Sequence, residues 1–176
     1  MERFEDMLSG GHPNSLGRTV EVVDLVLADP ARLAELYGCY QSEDAVVRLR
    51  VSSAMKRVQA ARRELLIPYY NRLIEEIGAL DQASAQWTLA ILFNVGWPDL
   101  SAAQRARAKA LVQRNLAEHD DWIVLNTSID VLTGWAREDV ELRSWLQPHL
   151  DRLRQDGRKS VSKRAEKALS ALASLG

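Results

Sequence analysis

The feature that most constrains the fold is an amphipathic segment that recurs along the chain. In "EDAVVRLRVSSAMKRV", residues 43–58, apolar residues are spaced three and four apart, which is typical of a helix with one apolar face. The same apolar face recurs after 38, 39 and then 37 residues. The aligned positions are Val47, Val51, Ala54, Met55 and Val58; Ala85, Leu89, Leu92, Phe93 and Gly96; Val124, Ser128, Val131, Leu132 and Trp135; and Val161, Ala165, Ala168, Leu169 and Leu172.

Another amphipathic segment lies between each two copies, as in "LLIPYYNRLIEEI" and "AAQRARAKALVQRNL". One helical hairpin cannot bury its apolar face alone, so hairpins at a steady period are expected to stack on one another. Strand patterns are scarce, and the sequence predicts an all-α fold. The predicted helices span 18–28, 31–40, 43–61, 65–77, 82–96, 101–117, 121–137, 139–154 and 158–174. Asp29, Asp81 and Ser101 stand at helix starts and are compatible with an N-cap or a first-turn proline.

The recurring segment resembles a known repeat. "DAVVRLRVSSAM" and "SVSKRAEKALSAL" resemble the second helix of a HEAT repeat, and residues 17–58 are similar to the opening of stand-alone bacterial HEAT-type proteins. The residues that match the repeat pattern are Asp44, Val47, Arg48, Ala54 and Met55, with Asp121 and Val124 in the third copy. The resemblance implies a right-handed α-solenoid of about four helix pairs.

The resemblance also implies how the chain is divided. Residues 1–176 are expected to form a single HEAT-like domain, in which 1–42 are a divergent capping pair and 43–176 are the repeats. The N-terminus is acidic and lacks the pattern of a signal peptide, and no apolar run is long enough to cross a bilayer. The single cysteine, Cys39, cannot form an intramolecular disulfide. We therefore expect a cytoplasmic protein.

The resemblance points to one surface for partner binding. In HEAT solenoids the second helices line the concave side, so the residues opposite the buried face are expected there. This predicted partner-binding set is Leu49, Ser53, Lys56, Trp87, Ile91, Asn94, Asn126, Asp130 and Lys163. Apolar residues on a solvated face, above all Trp87, are plausible anchors for a partner. The alternative is that Trp87 fills the seam between repeats.

Basic residues are concentrated in three blocks, residues 47–63, 101–117 and 158–167, although the net charge of the chain is only -1. Blocks at repeat spacing predict a basic stripe that would suit nucleic acid. The alternative is a set of solvated helix faces whose field is screened by the acidic residues of 64–81 and 118–141. Both interpretations are compatible with the sequence.

The sequence offers no pattern of catalytic or metal-binding residues. His12, His119 and His149 are far apart, and "EHDD" at 118–121 is typical of a turn in which Asp120 or Asp121 caps the next helix. "SGGHPNSLG" matches no phosphate-binding or dinucleotide-binding motif. Cys39 lies between aromatic residues and is expected to be a buried thiol. No catalytic residue, cofactor or metal site is predicted.

These observations predict a non-catalytic binding or scaffold module whose concave face holds a protein or peptide, with no membrane partner. The alternative is a nucleic-acid-binding protein similar to HEAT-like DNA alkylation-repair glycosylases. In that interpretation Trp87, Asp130 and the basic blocks would imitate the basic channel of those enzymes. No motif of that family matches residue by residue. A chromophore-lyase-like HEAT protein is a further alternative, and only the repeat pattern supports it.

Overall fold

The structure, a computed structural model, describes residues 2–174, and the chain divides into two compact units, residues 1–100 and 101–176. Every regular element in the described part of the chain is helical, without strands, which confirms the all-α prediction. That the repeats form one domain, with residues 1–42 as its cap, stays a prediction.

The helices of the first unit are joined by short 3₁₀ segments. The α-helices are α1 (Phe4–Leu8), α2 (Thr19–Ala28), α3 (Leu33–Gly38), α4 (Ala45–Ala61), α5 (Tyr70–Glu75) and α6 (Ala83–Gly96). The 3₁₀ segments are Pro30–Arg32, Cys39–Gln41, Arg63–Tyr69, Ile77–Ala79 and Trp97–Asp99. The second unit contains α7 (Ala102–Glu118), α8 (Trp122–Trp135), α9 (Val140–Leu153) and α10 (Lys159–Ala173).

The repeat period of the sequence is present in the helix boundaries. The helices α4, α6, α8 and α10 begin at residues 45, 83, 122 and 159, so successive starts are 38, 39 and 37 residues apart. Their apolar faces are buried as predicted: Val47, Val51, Ala54, Met55 and Val58 of α4 are all at most 1% exposed. Trp135 and Leu169 are the exceptions, since each is partly exposed.

Packing within each unit brings the recurring helices together. In the first unit α4 lies between α2 and α6 and contacts both. In the second unit α7 packs on α8 and α9 on α10, and α8 also contacts α10. Each recurring helix therefore packs against another recurring helix of its own unit.

Several helices begin with a side-chain N-cap at a position that the sequence pattern indicates. Asp121 accepts hydrogen bonds from the amides of Ile123 and Val124 at the start of α8. Ser101 forms a reciprocal capping box with Gln104 at the start of α7. Asp81 does not cap α6, which begins after Gln82 without a side-chain cap. A side-chain cap typically contributes about 1 kcal/mol.

Two predicted helices are broken up. The predicted helix 65–77 is a 3₁₀ segment, Arg63–Tyr69, followed by the short α5, and Pro68 lies in the 3₁₀ part. Proline has no amide hydrogen and disrupts the α-helical bonding of the preceding turn. The predicted helix 31–40 is likewise divided into a 3₁₀ segment, α3 and a second 3₁₀ segment, and α1 was not predicted.

The loop between α9 and α10 is held by a bidentate ion pair. The Arg158 guanidinium donates from Nε to Oδ1 of Asp156 at 2.9 Å and from Nη2 to Oδ2 at 2.8 Å. Nη1 donates to the carbonyl oxygen of Asp120, in the turn before α8. The hydrogen bonds from Arg158 lower the pKa of Asp156 to about 2. The pair therefore ties two turns of the second unit together while Asp156 is ionised.

Asp156→Asn should reduce the free energy of unfolding at pH 7 by about 1–2 kcal/mol, after allowance for solvent screening. Because the pKa of Asp156 is lowered on folding, its contribution is complete above pH 4 and is lost as the pH falls towards 2. Urea unfolding between pH 7 and 2 should therefore show the difference between wild type and variant shrinking. Asp151→Asn is the control, because Asp151 makes an exposed 3.7 Å pair with Arg154 and accepts an exposed hydrogen bond from Gln147 at 3.2 Å, neither of which joins two turns. A difference that does not change with pH would contradict this role.

Candidate ligand cleft in the first unit

The first unit contains a cleft of about 340 Å³ between the loop before α2 and the helices α4 and α6. Ligand sites in proteins typically measure about 300–1,000 Å³. Its walls are residues 13–16 of the loop, Leu49, Arg50, Ser52, Ser53 and Lys56 of α4, and Trp87 and Thr88 of α6. The structure thus brings four members of the predicted partner-binding set together: Leu49, Ser53, Lys56 and Trp87.

The apolar part of the cleft comes from Pro13, Leu16, Leu49 and Trp87. Leu16 is 43% exposed, although it is a large hydrophobic residue. Leu49 and Trp87 are both partly exposed, so neither is fully taken up by the core. Trp87 therefore lines an open space, as the partner-anchor interpretation requires, while part of it is packed.

The charged part of the cleft is entirely basic. Among the wall residues that the structure describes, the ionisable side chains are Arg50 and Lys56. Lys56 is partly buried and has neither an ion pair nor a side-chain hydrogen bond within residues 2–174. Burial, and then the positive charge of Arg57, lower the pKa of Lys56. An ammonium that is partly desolvated and unpaired favours an anionic neighbour.

Arg50 is buried in the wall and forms a cage with the loop before α2. The side chain is 1% exposed. Its guanidinium donates to five carbonyl oxygens: Leu8 at 2.6 Å, Ser9 at 3.3 Å, Gly10 at 2.6 Å, His12 at 3.1 Å and Ser15 at 3.1 Å. In the described chain no carboxylate pairs with this guanidinium, so its charge is shared with carbonyl dipoles only.

Gly17 permits this close approach. It has a φ of +53°, and a Cβ built there would lie 2.9 Å from Cζ of Arg50. A larger residue would be strained by the backbone conformation and would also collide with the guanidinium. The glycine-rich loop thus turns its carbonyl groups towards a cation, which is the opposite polarity to a phosphate-binding loop, whose amides face the ligand.

Thr88 adds an unsatisfied hydroxyl to the wall. The residue is fully buried, and its Oγ1 has no hydrogen-bond partner in the described structure. A buried hydroxyl without a partner costs about 1–3 kcal/mol, so such groups are uncommon unless another molecule completes them.

The other members of the predicted set lie elsewhere. Ile91 is partly exposed and Asn94 is exposed on α6, but neither lines the cleft. In the second unit Asp130 and Lys163 are exposed and border a polar groove of about 460 Å³. Asn126 is 6% exposed and its Oδ1 has no partner in the described structure. The expectation that Asn126 is accessible was wrong, because its side chain belongs to the buried part of α8.

Many basic residues in the three blocks already have acceptors. Arg62 pairs with Glu64 at 2.8 Å, and Arg63 pairs with Asp99 at 2.7 Å. Arg48 donates to Gln82 and to the carbonyl of Ser42 rather than to Asp44, so it joins the start of α4 to that of α6. In the other blocks Lys109 pairs with Asp139, Arg158 with Asp156 and Arg164 with Asp130. These pairs neutralise part of the predicted stripe.

Cys39 is buried, as expected, and donates weakly to the carbonyl of Glu35 at 3.4 Å. Burial, and then nearby carboxylates, raise the pKa of its thiol to about 11, so the reactive thiolate is rare at neutral pH. Within residues 2–174 no three His, Cys, Asp or Glu side chains are grouped so that they could hold a metal ion. None of the described helices combines the length and apolar character of a membrane span.

Comparisons with protein-family models, with curated proteins and with solved structures found no match. The structure by itself defines an all-α protein whose first unit carries a ligand-sized cleft with an apolar wall and a basic wall. Sequence reasoning overlooked Arg50 and Thr88. The signal for Arg50 was its position, three residues after Val47 and four before Ala54, on the apolar face of α4.

Proposed function

We propose that this protein is a non-catalytic binding module and that the cleft of its first unit holds a segment of a protein or peptide partner. We propose further that the paired helices of each unit are a section of a right-handed HEAT-type solenoid. The regular spacing of the recurring helices and their side-by-side packing within each unit support this fold assignment.

The observation that carries the binding proposal is the partly exposed Trp87 beside Leu49 and Leu16 in a space of about 340 Å³. Tryptophan is enriched among the residues that carry most of the binding energy at protein interfaces. Such a pocket accommodates one or two side chains of a bound segment.

The cleft favours a peptide over a nucleic acid. Arg50 already donates to five backbone carbonyls, so Lys56 is the basic wall residue that remains for a ligand. Binding of nucleic acid usually relies on several phosphate contacts at once. One ammonium beside a tryptophan is suited to a peptide that presents a single charged side chain next to an apolar one.

The proposal is tested by selecting peptides from a random 12-residue display library on the immobilised protein and measuring their affinity by calorimetry. Trp87→Ala should weaken a selected peptide about 30- to 100-fold, corresponding to about 2–3 kcal/mol for an aromatic anchor. Circular dichroism should show an unchanged helical content.

Trp122→Ala is the matched control, because Trp122 is 50% exposed and lies in the second unit, outside the cleft. It should leave peptide affinity within about twofold of wild type, as expected for a side chain that does not touch the ligand. Equal affinities of wild type and Trp87→Ala for every selected peptide would refute the proposal.

A further inference from the structure

We infer that the cleft recognises a carboxylate side chain, an aspartate or glutamate of the bound peptide, and that Lys56 is the residue that contacts it. This inference rests on the proposed peptide-binding function. The apolar neighbour of the acidic residue would lie against Trp87.

Charge complementarity is the first argument. The described wall contains two cations and no acid, and Arg57 adds a further positive charge beside Lys56. Arg50 cannot move to a ligand without leaving its carbonyl cage, so it contributes a fixed positive potential from behind the wall. An acidic side chain is the group that this wall lacks.

The unpaired polar groups are the second argument. Lys56 has no acceptor in the described chain, and the buried Thr88 hydroxyl has no partner. A carboxylate has two oxygens and accepts several hydrogen bonds, so it is suited to an ammonium together with a hydroxyl. Ser53 lies one helical turn before Lys56 on the same wall and offers another donor.

The type of donor distinguishes an acidic side chain from a peptide C-terminus. Terminal carboxylates are usually captured by successive backbone amides. Here the loop before α2 turns its carbonyls inward to Arg50, and the wall offers side-chain donors, among them Lys56 and Ser53 of α4. This arrangement favours an internal acidic residue.

The test replaces, one at a time, each acidic residue of a selected peptide by its amide isostere, Asp→Asn or Glu→Gln. One such change should weaken binding to wild type about 10- to 100-fold at 50 mM salt, as expected for a charge-assisted hydrogen bond in a partly desolvated site. Against Lys56→Met, which keeps the aliphatic stem, the acid and its amide should bind equally. Lys56→Arg should restore part of the preference.

Controls separate the charge of Lys56 from its packing. Lys159→Met, an exposed lysine at the start of α10, should retain the full preference for the acid. Lys56→Gln should behave as Lys56→Met does, and both should keep the thermal transition of wild type.

The possible outcomes are distinct. If peptides bind in a Trp87-dependent way but the acid-to-amide change does not alter their affinity, this inference is overturned and the proposed function stands. A library that yields no binder overturns both. An acid preference that persists in Lys56→Met overturns the assignment to Lys56. Tighter binding of a single-stranded oligonucleotide, abolished by Lys56→Met, would assign the cleft to phosphate and overturn the inference as well.

Discussion

Replacement of Arg50 by methionine is expected to lower the free energy of unfolding by about 3–5 kcal/mol, the range seen when one partner of a buried charged network is removed. Methionine fills much of the same volume but donates no hydrogen bond. The carbonyls of Leu8, Ser9, Gly10, His12 and Ser15 lose their common donor. The loop before α2 should then detach. Urea unfolding measures the energy, and faster chymotryptic cleavage after Leu16 reports the loop.

The neighbouring Arg57 supplies the control for this prediction. It lies on the same helix and is exposed, so Arg57→Met should change the free energy of unfolding by less than about 0.5 kcal/mol. Arg50→Lys should lie in between, because an ammonium keeps the charge but cannot reach carbonyls on several sides at once. Wild-type stability and wild-type cleavage in Arg50→Met would show that the cage does not hold the loop.

The recurring helices and their caps show what the sequence could predict. The apolar faces of α4, α6, α8 and α10 were predictable because helix burial follows a local period of three and four residues. The caps at Ser101 and Asp121 were predictable for the same reason, since each depends on residues within one turn. Local patterns therefore predicted seven of the α-helices to within two residues at each end, but neither α1 nor the 3₁₀ segments that divide 31–40 and 65–77.

The candidate site depends on contacts that are distant in the sequence. Arg50 meets carbonyl groups that lie 35 to 42 residues earlier in the chain, and no local spacing encodes that return of the loop. The helical position of Lys56 indicated which way it faces, but not that its ammonium would lack an acidic partner. For Asn126 the helical position predicted an exposed side chain, but neighbouring groups in the packed unit bury it. Charge pairing and burial are properties of the packed unit rather than of a single helix.

Gly96→Ala is the second change with a large expected effect. Gly96 is buried as the last residue of α6, and a Cβ built there would lie 1.9 Å from Oη and 2.5 Å from Cζ of Tyr70. Tyr70 is fully buried, and its Oη accepts a hydrogen bond from Nε2 of Gln59. The ring cannot withdraw without disturbing the core. Overpacking should cost about 3 kcal/mol, although alanine in a helix is normally favoured over glycine by about 1 kcal/mol.

Gly134→Ala tests the sign of this argument in the same protein. Gly134 lies in α8, and a Cβ there would have no atom within 4 Å, so the helical preference of alanine should raise the free energy of unfolding by up to about 1 kcal/mol.

A double-mutant cycle with Tyr70→Leu then isolates the collision between the new methyl group of Gly96→Ala and the Tyr70 ring. Because the smaller side chain makes room for the new methyl group, Gly96→Ala should cost much less in the Tyr70→Leu background, with a coupling energy of about 1–3 kcal/mol. Equal costs in both backgrounds would place the strain of Gly96→Ala in the backbone of α6 rather than in its contact with Tyr70.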